Sequence, residues 1–333
     1  MYSTPPAVGH VQHITENVLW CRMPLPLALD HINVYLVRDN HGWAIIDCGM
    51  ATSETIAAWT SIIEQLDGPI TRVIVTHMHP DHIGCAGYLT QTYRVDLYMA
   101  QTEYYAARAL YAGNQGADNW QDRRYYRAAG FSPEQVTQFT QGKGGFGKVV
   151  SPLPLSFVRL VPGETLLIGQ SSWQLILGLG HSPEHISLFN PEFDICIGGD
   201  QVLPKITPNI GAYSTQPQSN PLYYYLHTLE QFAQLPQSTL LLPSHKNPIR
   251  DIPNRVAEII HHHHIHLDNL MQACLSPQTV VSLLPVMFQR QLGKHQMFFA
   301  VAECLAHLNY LLEQDKLTCV KDNSGVNQYQ TKP

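Results

Sequence analysis

Thr76-His77-Met78-His79-Pro80-Asp81-His82 packs three imidazoles and a carboxylate into the six residues from His77 to His82. Imidazole nitrogens and carboxylate oxygens are donors that divalent cations favour. One short loop cannot aim all four donors at a single tetrahedral ion without crowding, but it can serve two neighbouring ions. His77 and His79 would then face one ion, and Asp81 and His82 the other. Each ion needs further ligands from elsewhere, and a carboxylate touching both would lower their mutual repulsion. His181, Asp200 and His245 are placed to supply them. No thiolate belongs to the set, which points to two divalent ions of the Zn(II) type, with Fe or Mn as alternatives.

These residues share a local setting. Trp43-Ala44-Ile45-Ile46 ends on Asp47, and Val73-Ile74-Val75 leads into Thr76-His77. The run Trp173 to Leu179 leads through Gly180 to His181, and Asp194-Ile195-Cys196-Ile197 leads through two glycines to Asp200. Thr239-Leu240-Leu241-Leu242 leads through Pro-Ser to His245. Short apolar runs bounded by Gly, Pro or Ser predict buried strands. Helix-like segments lie between them, among them Ser53 to Leu66, with Ser53 as the expected cap, and Pro221 to Ala233. Strands alternating with helices predict a layered α/β architecture. Residues at strand ends gather along one edge of a sheet, so these five positions are expected to converge.

Residues 103 to 141 differ, with aromatic side chains interleaved with Arg108, Arg123, Arg124 and Arg127. The pattern predicts an amphipathic helical insertion, broken at Gly113–Gly116 and at Gly130. Its inner face could form a lid over the site. Arg123, Arg124 and Tyr213 are candidate contacts for an anionic or planar group on a substrate. From about Pro253 onward, helix-like runs at Arg255–Gln272, Gln278–Phe288 and Met297–Glu313 precede a hairpin signal at Asn323-Ser324-Gly325. Three helices and a hairpin predict a winged-helix-like C-terminal domain, giving domains at 1–250 and 251–333. The tract His261–His264 lies in one of these helices, where consecutive side chains point in all directions and cannot share an ion.

Composition narrows the remaining classes. The chain has 333 residues and a formal net charge of −6, which offers no general attraction to nucleic acid or anionic membrane. Residues 252 to 333 carry as many acidic as basic side chains, so the tail has no electrostatic footprint for phosphates. The seven cysteines are odd in number and scattered, as expected in a reducing compartment. No run approaches the ~20 apolar residues of a membrane span. The first residues show no signal-peptide pattern, so the expected location is the cytoplasm and the expected partner a small-molecule substrate. The apolar stretch Met297–Ala302 is expected to pack on the main domain or on a second subunit of a homodimer.

Five segments resemble the motifs of the metallo-β-lactamase superfamily. Asp47-Cys48-Gly49 is similar to the first and Thr76 to His82 to the second. Gly180-His181-Ser182-Pro183-Glu184-His185 resembles the third, with Glu184 where a glycine is common. Gly198-Gly199-Asp200 and Pro243-Ser244-His245 resemble the fourth and fifth. The resemblance implies a four-layer αββα sandwich over residues 1–250. It implies His77, His79 and His181 on one ion, and Asp81, His82 and His245 on the other, with Asp200 bridging. His185 and Asp47 would support these ligands without touching an ion. It also implies a hydrolase in which water bound between two ions is the nucleophile, with Asp81 or Asp200 relaying its proton to the leaving group. A small carboxylic ester, thioester or lactone is the expected substrate. A nuclease or phosphodiesterase, as in the β-lactamase-like protein 2 branch, and a non-catalytic metal-binding scaffold are the alternatives. The glyoxalase II branch would show a basic, Gly-rich stretch soon after the bridging Asp, whereas residues 201 to 211 hold one lysine.

Overall fold

A computed structural model describes residues 4–26, 29–113, 119–140, 145–289 and 291–332. Seven strands form the first sheet in chain order: β1 (Val11–His13), β2 (Val18–Pro24), β3 (His31–Asp39), β4 (Gly42–Ile46), β5 (Ile70–Ile74), β6 (Leu97–Ala100) and β7 (Val158–Leu160). β1 to β4 pair antiparallel and β4 to β7 parallel. The second sheet has the order β12-β11-β10-β9-β8, built from β8 (Thr165–Ile168), β9 (Ser171–Gly178), β10 (His185–Asn190), β11 (Ile195–Gly199) and β12 (Leu240–Pro243). Only the β11–β12 pair in it is parallel.

Strand alternation sorts the apolar residues into two cores. Trp20, Tyr35, Ala44, Ile46 and Ile74 turn one way and meet Trp173, Leu175, Ile186, Leu188, Ile197 and Leu242 from the second sheet. Their neighbours Leu19, Cys21, Val34, Ile45 and Val73 turn the other way and meet helices. Those helices are α1 (Ser53–Ile63), the single turn α2 (Pro80–Ile83), α3 (Ala86–Tyr93) and α4 (Gln101–Ala112). The outer face of the second sheet is also covered, since Cys196 and Leu241 are fully buried. This is the αββα arrangement. Sheets buried on both faces explain why the strands read as continuous apolar runs.

All five strand runs of the sequence form strands, with one correction to their arrangement. Asp47 and Thr76 follow strands of the first sheet, whereas His181, Asp200 and His245 follow strands of the second. The site therefore lies where the ends of two stacked sheets meet, and not along one edge. Asn33 of β3 joins them there: its N–H donates to the Ser244 carbonyl (2.6 Å), and its amide to those of Pro243 (2.9 Å) and Lys246 (2.7 Å). A second correction concerns α1, which is capped by Thr52, not Ser53. The Thr52 hydroxyl accepts the Thr55 N–H at 3.2 Å.

The remaining helices are α5 (Trp120–Ala128), α6 (Pro133–Thr140), α7 (Phe146–Val149), α8 (Pro221–Ala233), α9 (Ile252–Ala273), α10 (Val280–Met287) and α11 (Lys294–Glu313), and β13 (Leu317–Lys321) with β14 (Asn327–Thr331) closes a hairpin. Contacts divide the chain into two compact units. The first holds Met1–Gly113, Gly145–Pro208 and Gln231–Arg255; the second holds Asn114–Gly144, Asn209–Glu230 and Val256–Pro333. The helical insertion is shared out between these units. α4 packs with the sheets, and α5 and α6 join the C-terminal helices. The Val281 N–H donates to the Ala129 carbonyl (3.0 Å) and the Tyr125 hydroxyl to that of Ala212 (2.9 Å). The expected break at residues 113–116 falls mostly on 114–118, outside the described residues. Within the second unit, His261, His262 and His264 are exposed, while buried His263 pairs with His307 at 3.1 Å. Ala300, Val301 and Ala302 are buried, whereas Phe298 and Phe299 are exposed.

Trp59 of α1 is fully buried, and its indole N–H donates to the Cys48 carbonyl at 2.8 Å, next to Asp47. Trp59→Ala is expected to destabilise the chain by about 3–5 kcal/mol. Trp59→Phe, which leaves that carbonyl without its donor, should cost about 1–3 kcal/mol. The shift of the urea midpoint measures both.

Candidate metal centre

β4 ends in a turn that places Asp47 in the left-handed region (φ 61°), a conformation that Asp tolerates better than most residues. Its N–H still pairs with the Ile74 carbonyl of β5 (2.9 Å). The turn sends the carboxylate across to the loop after β5. Oδ1 accepts the Thr76 N–H (2.8 Å), and Oδ2 accepts the Thr76 hydroxyl (2.9 Å) and pairs with His82 Nδ1 (2.8 Å). The bond from Nδ1 to Asp47 makes Nε2 the nitrogen of His82 that faces the site, where a cation can replace a proton. Pro80 opens α2 at a position where its missing N–H costs nothing. The turn carries Asp81 and His82 onward from His77 and His79, with the His82 ring 3.9 Å from that of His77.

Among the described residues, three groups could each hold a cation, His77–His79–His181, His77–His82–Asp200 and Asp81–His82–His245, with ligand atoms in each within 4.8 Å of one another. All seven residues expected as ligands thus come together. Asp200 lies between the groups: Oδ2 is 3.4 Å from His181 Nε2, and Oδ1 is 3.5 Å from His82 Nε2 and 3.6 Å from His245 Nε2. His245 Nε2 is 3.4 Å from Asp81 Oδ2, while its Nδ1 donates to the His31 carbonyl (2.9 Å). His185 accepts the Asp200 N–H on Nε2 (3.1 Å).

The site is dry on its inner side. His77, His82 and His185 are fully buried, and His181, Asp200, His245 and Asp47 are at most 8% exposed. His82 Nε2 and Asp200 Oδ1 have no hydrogen-bond partner among the described residues. Leaving such buried atoms unsatisfied costs about 1–3 kcal/mol each, and a cation between them removes that cost. The donors present fit a metal ion. Burial, aided by neighbouring imidazoles, pushes His77 well below the ordinary histidine value and His79 down to about 3, so both offer lone pairs. Burial also opposes charge on His82, but the carboxylates of Asp47, Asp200 and Asp81 outweigh it and raise its pKa well above 6.5. At Asp200 burial opposes ionisation, yet His245 and His82 outweigh it and hold the carboxyl well below the usual range.

Sequence reasoning missed several supporting groups. Asn33 and the His31 carbonyl fix the His245 loop, and neither carries a motif. Glu103 appeared only as the start of a helical stretch, yet it is fully buried and accepts hydrogen bonds from Met78, Ser182 and Glu184. A lone acid just after a buried strand was its only signal. The candidate substrate contacts fall in the second unit. There Tyr213 donates to Asn209 (2.7 Å), Arg124 lies over the Trp120 ring (4.8 Å) and Arg123 lies 3.5 Å from the Thr137 hydroxyl.

A two-sheet sandwich with this donor set at its edge defines a metallo-hydrolase. The family model for the metallo-beta-lactamase superfamily matches residues 27–245, and the model for a metallo-beta-lactamase-like C-terminal domain matches residues 267–332. The chain belongs to the metallo-beta-lactamase superfamily. It is 35% identical to a beta-lactamase domain protein from Burkholderia ambifaria, whose crystal structure superposes with a TM-score of 0.91 over 99% of this chain and 96% of that one. A metallo-beta-lactamase family protein from Thermus thermophilus shares the fold, with a TM-score of 0.81 at 24% identity over 96% of this chain and all of that one (100%). The probable metallo-hydrolase YqjP of Bacillus subtilis (strain 168) is 24% identical over 94% of this chain and 97% of its own length.

Asp47 and Gly199 hold the ligands in ways that substitution can test. Asp47→Asn keeps the shape but places an amide against Thr76 or His82, and it should lower metal affinity about 10–100-fold in a chelator competition assay. Gly199 has φ +54°, and a Cβ there would sit 2.3 Å from His185 Nε2. Gly199→Ala should therefore displace the residue that orients Asp200, lowering metal content per chain with an unchanged far-UV CD spectrum. The raised pKa of His82 adds a third expectation. A cation must displace its proton, so zinc titrated into stripped protein near pH 7 should release protons to an indicator dye, and less so in His82→Ala. Zinc uptake without proton release would contradict the charge assigned to His82.

Proposed function

We propose that the chain is a two-metal hydrolase that opens a small carboxylic ester, thioester or lactone. One observation carries this reading: the two oxygens of Asp200 face different histidines, Oδ2 toward His181 and Oδ1 toward His82 and His245. A carboxylate so placed can bridge two cations and offset their repulsion. His77, His79 and His181 would hold one ion, and Asp81, His82 and His245 the other. When bound, two divalent ions of the Zn(II) type, or Fe or Mn, lower the pKa of water toward about 7 and polarise the bond under attack.

The residues of the chain do the rest. Asp47 and the His31 carbonyl fix which nitrogen of His82 and of His245 faces inward. Asp81 and Asp200 are acceptors beside the reacting water, and either can take its proton and pass it to the leaving group. Burial of the histidines keeps bulk water from their inner side and strengthens each electrostatic contact.

The substrate class rests on charge. A net charge of −6 and a tail balanced in acids and bases give the chain no general attraction for a nucleic-acid backbone. A small substrate needs no such attraction. Complete ligand groups argue against a scaffold that has lost its chemistry. Seven free cysteines support a reducing, cytoplasmic location. Among the described residues no helix is long and apolar enough to cross a membrane.

The test begins with elemental analysis, for which two metal ions per chain are expected. A panel of acyl-CoA and glutathione thioesters, lactones, phosphodiesters and RNA, each run against His82→Ala, then assigns the bond. Turnover of a carboxylic ester, thioester or lactone that disappears in His82→Ala is expected. One ion or none per chain, or turnover of RNA alone, overturns the proposal.

A further inference from the structure

Glu103 lies in the first turn of α4 and is fully buried. Its Oε2 accepts the N–H of Met78 (2.8 Å), the residue between His77 and His79. Its Oε1 accepts the Ser182 hydroxyl (2.6 Å) and the Glu184 N–H (2.6 Å), in the segment that follows His181. One carboxylate thus joins the two segments that carry the three-histidine group. Glu184 returns the contact: its carboxylate accepts the Thr102 N–H at 2.8 Å, in the same turn of α4. The connection runs both ways, and Glu184 stands where the third motif departs from the common glycine.

The other group is held by different means. Asp47 grips His82, the His31 carbonyl grips His245, and His185 takes the N–H of Asp200. None of these contacts involves α4. α4 thus braces the three-histidine group alone, whereas Asp47 also reaches His77 through the Thr76 hydroxyl, which lies 3.0 Å from His77 Nδ1.

We propose that Glu103 is the positioning residue of the three-histidine half of the centre: it sets the spacing of the His77–His79 loop against His181, and so controls the affinity of that half for its ion while leaving the Asp81–His82–His245 half largely unaffected. The inference rests on the two-metal reading above. A carboxylate is required because all three neighbours are donors, and a carboxylate only accepts. An amide in its place would turn an N–H₂ group against either Met78 or the Ser182–Glu184 pair.

The experiment uses the full chain, stripped by chelator and titrated with Co(II) by absorption spectroscopy and with Zn(II) against a chromophoric competitor. Wild type, Glu103→Ala, Glu103→Gln, Glu103→Asp and Asp47→Asn are compared. Wild type should take up two ions. Glu103→Ala and Glu103→Gln should weaken one site about 10–100-fold and change the Co(II) spectrum of that site only. Asp47→Asn, whose Thr76 and His82 contacts reach both groups, should weaken both. Glu103→Asp, which keeps an acceptor pair, should recover part of the loss. If Glu103→Ala fails to fold, the isosteric Glu103→Gln carries the same test. Retention of both sites at wild-type affinity in Glu103→Gln overturns the proposal, as does equal weakening of both sites with no recovery in Glu103→Asp. A wild-type chain that binds one ion overturns the two-metal reading itself, and this inference with it.

Discussion

The grip of Asp47 on Thr76 and His82 is the interaction on which the rest of the site depends. Five imidazoles and two carboxylates within a few ångströms of one another, mostly shielded from water, would repel or collapse onto each other without fixed orientations. Asp47 supplies the first orientation. Its left-handed turn at the end of β4 re-aims a carboxylate across the sheet, where it holds a backbone N–H, a hydroxyl and a ring nitrogen together. That places the loop after β5, and the loop places four of the seven ligands. The sandwich exists around this point as a rigid support: two cores, one between sheets and one under helices, keep the strand ends from drifting.

The second sheet brings the remaining ligands by a different device. His181, Asp200 and His245 each follow a strand directly, and the segments carrying them are fastened to the first sheet by backbone contacts. The Ile186 N–H reaches the Thr76 carbonyl (3.0 Å), and the Asn33 N–H reaches that of Ser244. Contacts of this kind tie loops to strands irrespective of the side chains between them. The ligand residues are thus free to be chosen for chemistry, while glycine and other left-handed residues absorb the turns.

Much of this was legible in the sequence, for identifiable reasons. Apolar runs ending on His or Asp mark strands and ligands together, because a buried strand and a polar strand end are both strong signals. The motif order then carried the layered fold. What stayed hidden were contacts made through the backbone. Asn33 and the His31 carbonyl act on residues more than two hundred positions away, and nothing in their own neighbourhood marks them. Glu103 was hidden because its partners are two amides and a hydroxyl. Ser53 and Thr52 are both good caps, and only the turn geometry separates them. The insertion read as one helical block from 103 to 141 because its composition is uniform. Its helices nonetheless part company, since α4 has the apolar face of β6 to rest on, and α5 and α6 have the C-terminal helices.

β12 has a consequence for how the molecule is made. It is the last strand of the second sheet, it pairs parallel to β11, and the connection between them contains α8. Parallel pairs joined by long crossovers close large loops before any contact rewards them. His245 hangs on that strand, so the centre is completed only after the chain has brought its most distant pieces into register. The full ligand set therefore exists only when β12 is paired with β11.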